Sequence, residues 1–173
     1  MPTGHGLIGV DPGVTTGLAW GVFSPRLRDR TSLWKALARG RQLGCEQIVE
    51  PYGVTSQIHS VIAEWMIQGF GSDQITIVIE DFQVRQNLSG GTGRDKLAPV
   101  YITGRIDEML AIYQYTEMTS LVMSSVSKSL ATDQRLKLWG QSTSPPGRAG
   151  WVKGKRHTRD AWRLVAAGLN LIP

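Results

Sequence analysis

The chain has 173 residues, 41% of them hydrophobic and 19% charged, which suits one globular domain spanning 1–173 with a real core. No apolar run approaches the length of a membrane span. The lone cysteine, Cys45, excludes an internal disulfide and a cysteine-based zinc site, and the net charge of +5 permits a polyanionic partner without requiring one. Together with an opening Met-Pro-Thr-Gly-His-Gly that lacks the pattern of a secretion signal, the reduced cysteine leads us to expect a cytoplasmic protein.

Residues 6–11 (Gly-Leu-Ile-Gly-Val-Asp) read as a buried strand that ends on Asp11. Gly13 and Gly17 punctuate a turn, and 17–23 read as a second strand. A carboxylate at the end of a central strand sits on a rigid element facing solvent, where a metal ligand is useful. Asp-Pro-Gly also makes turns for geometry alone, and the passage by itself leaves both readings open. Residues 24–44 form a basic insert with room for one short helix, either a solvated loop or a DNA-facing segment. Residues 46–50 suggest a third strand. Val54, Ile58, Val61, Ile62, Trp65 and Met66 recur at helical spacing, with Gly69 placed to cap the end.

The run Gln74-Ile75-Thr76-Ile77-Val78-Ile79-Glu80-Asp81-Phe82 has the β-branched continuity of a strand buried on both faces, and it too ends on acids. If this strand lies parallel to the first, Asp11 and Glu80 stand side by side at one sheet edge. Two anions there repel unless a cation holds them, and hard oxygen ligands select Mg²⁺ or Mn²⁺. Residues 83–98 are a basic, glycine-rich loop, either a linker or a substrate contact; no Gly-Lys-Ser/Thr closes it as a phosphate loop. Ile102, Ile106, Met109, Leu110 and Tyr113 form a helical stripe, 119–124 a weak strand, and 129–139 a helix on which Asp133 and Lys137 would pair. After a Ser/Pro/Gly loop at 140–154, the run from Lys155 to Gly168 reads as a helix. It carries His157 and Asp160 on one face of its first turn. One reading of the pair is purely structural, with His157 capping the helix end and Asp160 complementing its dipole.

These residues carry a resemblance. A strand-end Asp in Ile-Gly-Val-Asp-Pro-Gly, a strand-end Glu in Val-Ile-Glu-Asp-Phe and a C-terminal helix opening His-x-x-Asp-Ala, in this order, resemble the RuvC-type Holliday junction resolvases. The likeness runs from about residue 6 to 168. It implies an α/β ribonuclease H-like fold, a mixed five-stranded sheet flanked by helices. By that resemblance Asp11, Glu80, Asp160 and His157 are catalytic and metal-binding, with Asp81 as an auxiliary ligand or a structural acid. Arg85, Gln86 and Asn87 match the passage from catalytic strand to loop, and Phe82 falls one residue short of the family's usual aromatic. Arg94, Lys96, Lys155 and Arg156 supply phosphate contacts, Lys128 matches the family's basic residue, and the helix from Ile102 to Tyr113 aligns with its dimer helix.

The chain also departs from the pattern. Ser125-Val126-Ser127-Lys128 stands where a Val-Lys pair and a Gly-x-Gly turn are usual, and the insert at 24–44 has no clear counterpart. Such divergence is of the kind a phage-borne member would show. The implied activity is metal-dependent endonuclease cleavage of branched DNA by a homodimer in a bacterial or phage-infected cell. Two Mg²⁺ ions, replaceable by Mn²⁺, would activate the attacking water and stabilise the leaving 3′ oxygen. Ribonuclease H action on RNA–DNA hybrid and a non-catalytic DNA-binding module are the rival readings. A sugar-kinase-like ATPase shares the opening motif but needs a second lobe that this length does not provide.

Overall fold

The computed structural model describes residues 4–24, 30–81, 93–142 and 156–171. Strand β1 (His5–Asp11) is buried along its whole length and pairs antiparallel with β2 (Thr16–Phe23). Helix α1 (Arg30–Ala38) leads to β3 (Arg41–Ile48), which pairs antiparallel with β2. Helix α2 (Pro51–Ile67) crosses back to β4 (Ile75–Asp81), which lies parallel to β1. Helix α3 (Gly93–Ile112) leads to β5 (Thr119–Met123), parallel to β4. Helices α4 (Ser124–Leu130), α5 (Asp133–Ser142) and α6 (Arg156–Gly168) follow. The sheet order is β3-β2-β1-β4-β5, a mixed five-stranded sheet with helices on both faces, the ribonuclease H-like arrangement. Among the described residues no helix is long and apolar enough to cross a membrane.

Strand alternation builds two cores, one on each side of the sheet. Leu7 and Val78 face α6, where Ala161, Trp162 and Val165 meet them, and Trp139 of α5 packs edge-on against Trp162. Ile8, Val10, Ile77 and Ile79 face the other way, onto Ile58, Ile62 and Trp65 of α2 and Ile102 and Ile106 of α3. The central strands are therefore apolar on both faces, as their continuous Val/Ile runs demand.

Several elements differ from the sequence reading. The third strand begins at Arg41 rather than 46, and the short helix for which the basic insert had room is α1, which is not a solvated segment: Leu33, Ala36 and Leu37 are buried in the core. Helix α3 begins at Gly93, nine residues before the stripe that announced it, and carries Pro99 in its interior. Glycines argued for a loop there, but the buried Pro99 carries the core-facing side of the helix back beyond the stripe. The single helix expected over 129–139 is two helices, broken at Ala131–Thr132, where the Thr132 hydroxyl meets the Arg135 amide as an N-terminal cap.

Candidate active site

The site forms where β1 and β4 end. Their parallel register runs from Gly6 beside Ile75 to Val10 beside Ile79, so the next residues, Asp11 and Glu80, leave the sheet side by side on the α6 face. Asp11 is only 8% exposed. Burial, then a hydrogen bond and the negative charge from Glu80, push its carboxyl up to about 8, while Arg156 and Lys128 pull the other way. A pair of acids in this state lacks a counter-charge between them.

Helix α6 delivers the third member. Nδ1 of His157 lies 2.7 Å from Oδ2 of Asp11. With Asp11 ionised, that contact requires Nδ1–H to donate, which leaves Nε2 as an acceptor. Burial first, and the Arg156 guanidinium second, lower the His157 pKa, so the ring favours its neutral form. The close approach depends on two glycines. A Cβ on Gly17 would stand 2.0 Å from the His157 carbonyl oxygen, and one on Gly9 would stand 2.1 Å from that of Ala161. Gly17, read from sequence as turn punctuation, is thus the seat on which the helix start rests.

Asp160 lies one turn along α6, with its side chain 14% exposed, and its environment is the opposite of Asp11's. Oδ1 accepts from Nη1 of Arg163, and Oδ2 lies 3.6 Å from Nε of Arg156. Arg163 also donates through Nη2 to Asp133 and through Nε to the Ala131 carbonyl, at 3.0 Å. Among the described residues no three His, Cys, Asp or Glu side chains form a ready metal cage. The donor chemistry at Asp11 and Glu80 nonetheless fits a hard divalent ion: two adjacent carboxylates, one of them with its pKa pushed up by burial and by its neighbour.

The other expected residues divide. Asp81 follows Glu80 in the strand and so faces the opposite side of the sheet, lining a cavity of about 280 Å³ with Thr103 and Asp107 of α3. Alternation turns it away from Asp11, while the cavity it lines also includes Glu80. Asp133 does not form the expected isolated pair with Lys137; it takes Arg163 and, at 3.8 Å, Arg159. Lys128 on α4 and Arg156 at the start of α6 are exposed, and the charge of each reaches Asp11. Phe82, Arg85, Gln86, Asn87 and Lys155 lie outside the described residues. Arg94 and Lys96 fall in the first turn of α3, and their side chains lie outside the description. Sequence reasoning missed Arg163 entirely. Its signal was available as an acid–arginine spacing of three on a helix.

No protein-family model matches this chain, and no curated protein matches it. Solved structures do. Thermus thermophilus RuvC in complex with Holliday junction substrate aligns at a TM-score of 0.54 and 15% identity over 96% of this chain and 94% of that one. A second Thermus thermophilus RuvC structure aligns at 0.53 and 14% identity, over 96% and 95%. Across nearly its whole length, then, this chain has the fold of the RuvC Holliday junction resolvases.

Proposed function

We propose that this protein is a divalent-metal-dependent endonuclease that nicks branched DNA, including four-way junctions. The observation that carries the reading is the buried Asp11 beside Glu80 at the ends of two parallel strands, short of a counter-charge, in a RuvC fold. Asp11 and Glu80 would hold the ion, with Asp160 as a further ligand once its arginines share it. A bound Mg²⁺ or Mn²⁺ supplies Lewis-acid stabilisation of the scissile phosphate and lowers the pKa of water. The chain's own groups do the rest. His157, tied to Asp11 through Nδ1, presents Nε2 to take a proton from an attacking water. Lys128 and Arg156 provide positive charge beside the acids to meet a phosphate backbone, and Arg85, Arg94, Lys96 and Lys155 would extend that surface.

Paired cuts across a junction need two sites, and a homodimer supplies them. Ile102, Ile106, Met109 and Leu110 are committed to the domain core, while Tyr113 is exposed and stacks on His59 at 4.1 Å. The flanking side of α3 carries Leu97, Val100, Tyr101 and Ile112, all at least 50% exposed. This apolar outward side supports a partner helix there. Cleavage of four-way junction, linear duplex and RNA–DNA hybrid with Mg²⁺, Mn²⁺ and Ca²⁺ tests the reading. Nicking of the junction in Mg²⁺ supports it, hybrid-only cleavage would make the protein a ribonuclease H, and binding without cleavage would make it a DNA-binding module.

A further inference from the structure

The proposed chemistry makes no use of Arg163, yet this side chain is only 11% exposed and has every nitrogen engaged. Nε donates to the Ala131 carbonyl at 3.0 Å, Nη2 to Asp133, and Nη1 to Asp160. Two of these three anchors belong to the corner between α4 and α5, away from the strand-end acids. The planar guanidinium cannot swing off Asp160 without breaking bonds on that corner. The remaining oxygen of Asp160 faces Arg156 at 3.6 Å. Both oxygens of this carboxylate therefore look at guanidinium groups, and a cation approaching Asp160 must displace or share one of them.

We infer that Arg163 is a positioning residue that withholds Asp160 from the cation site, fixed in that role by the α4–α5 corner. The inference rests on the reading of Asp11, Glu80 and Asp160 as a cation site. Asp133 and Asp160 divide one guanidinium between them. Removing Arg163 leaves Asp160 with the exposed Arg156 alone, free to turn toward a divalent ion. Neutralising Asp133 removes a competitor and leaves the guanidinium more firmly on Asp160. The two changes thus move cation affinity in opposite directions. A role confined to holding the fold together would weaken affinity in both.

The test is calorimetric titration of Mn²⁺ into the full chain, at one pH and at high ionic strength so that distant charges are screened. Arg163→Gln is expected to bind Mn²⁺ about tenfold more tightly than wild type, the order expected for removing one positive charge from beside a divalent ion. Arg163→Lys restores the charge and should return affinity to within about threefold of wild type. Asp133→Asn should weaken binding by about threefold. A folded Arg163→Gln with unchanged or weaker affinity overturns the inference. If that variant does not fold, Asp133→Asn decides, and unchanged or tighter binding there overturns it. If wild type binds no Mn²⁺ and Arg163→Gln binds none either, the underlying cation-site reading falls and this inference with it. Wild-type binding that depends on Asp11 but ignores Arg163 sinks this inference alone.

Discussion

The acids at the strand ends and the acid on α6 live in opposite electrostatic conditions. At the strand ends, Asp11 is buried beside Glu80, and the cations that temper it, Arg156 and Lys128, are exposed side chains. On α6, Asp160 is ringed by Arg163 and Arg156. At the first station burial, and then Glu80, push the Asp11 carboxyl up; the second already has its counter-ions. An acid's presence in a nuclease-like pattern therefore does not by itself make it a free ligand.

The sharpest challenge to this contrast is functional. Asp11→Asn and Glu80→Gln should each reduce junction nicking to background while junction binding persists, measured by cleavage and gel-shift on the same substrate. Near-normal cleavage by either variant removes the strand-end pair from catalysis. Asp160→Asn should also lose nicking, but its stability signature should differ. In metal-free protein Asp11→Asn relieves repulsion and should raise stability, whereas Asp160→Asn takes one of three partners from a nearly buried arginine and should cost about 1–3 kcal/mol. Denaturant midpoints with equal slopes would measure both signs, and the same sign in the two variants would erase the distinction.

Gly17→Ala probes the packing beneath the site. The added Cβ meets the His157 backbone at 2.0 Å, so the start of α6 must lift. We expect destabilisation of about 1–3 kcal/mol and slow nicking with an intact set of acids. A fully active, fully stable variant would mean that this close approach does not position His157.

The pH dependence of stability follows with a definite sign. The folded-state value of Asp11, about 8, lies above its ordinary 3.8, so across that interval the folded chain keeps a proton that the unfolded chain has released. Stability in chelator should therefore fall as pH rises toward 8, by at most about 1.4 kcal/mol per pH unit. His157, lowered from 6.5, acts in the other direction below that pH, so the slope is cleanest above it. Mg²⁺ competes with the proton and should flatten the decline; so should Asp11→Asn. A decline that both leave untouched would belong to other groups.

Much of the fold and part of the site were legible in the residues. The Val/Ile runs ending on Asp11 and Glu80 announce two doubly buried strands, and the sheet pairs them as that pattern requires. His157 and Asp160 sit on the helix that their spacing suggested. The facing of Asp81 follows from alternation alone, once β4 is known to remain a strand through it. What stayed hidden depends on tertiary neighbours. Nothing local says that Gly17 seats a helix more than a hundred residues away, or that Asp133 will answer Arg163 instead of Lys137. The early start of α3 was masked by the glycine-rich run before it, whose local preference the core overrides.

The basic residues between Glu80 and the first turn of α3 offer the smallest effect. Replacing Arg85, Arg94 and Lys96 with alanine should weaken junction binding and reduce the salt slope by roughly 0.9 for each phosphate no longer neutralised. An unchanged slope in the triple variant would turn that face away from DNA.

The central claim, that the strand-end carboxylates serve a cation in cutting branched DNA, is tested most directly with one labelled four-way junction incubated with wild type and Asp11→Asn, each in Mg²⁺ and in chelator. Wild type in Mg²⁺ should be the only combination to give nicks, with 5′-phosphate and 3′-hydroxyl ends. Cleavage that survives chelation, or that Asp11→Asn carries out at the wild-type rate, would refute the claim.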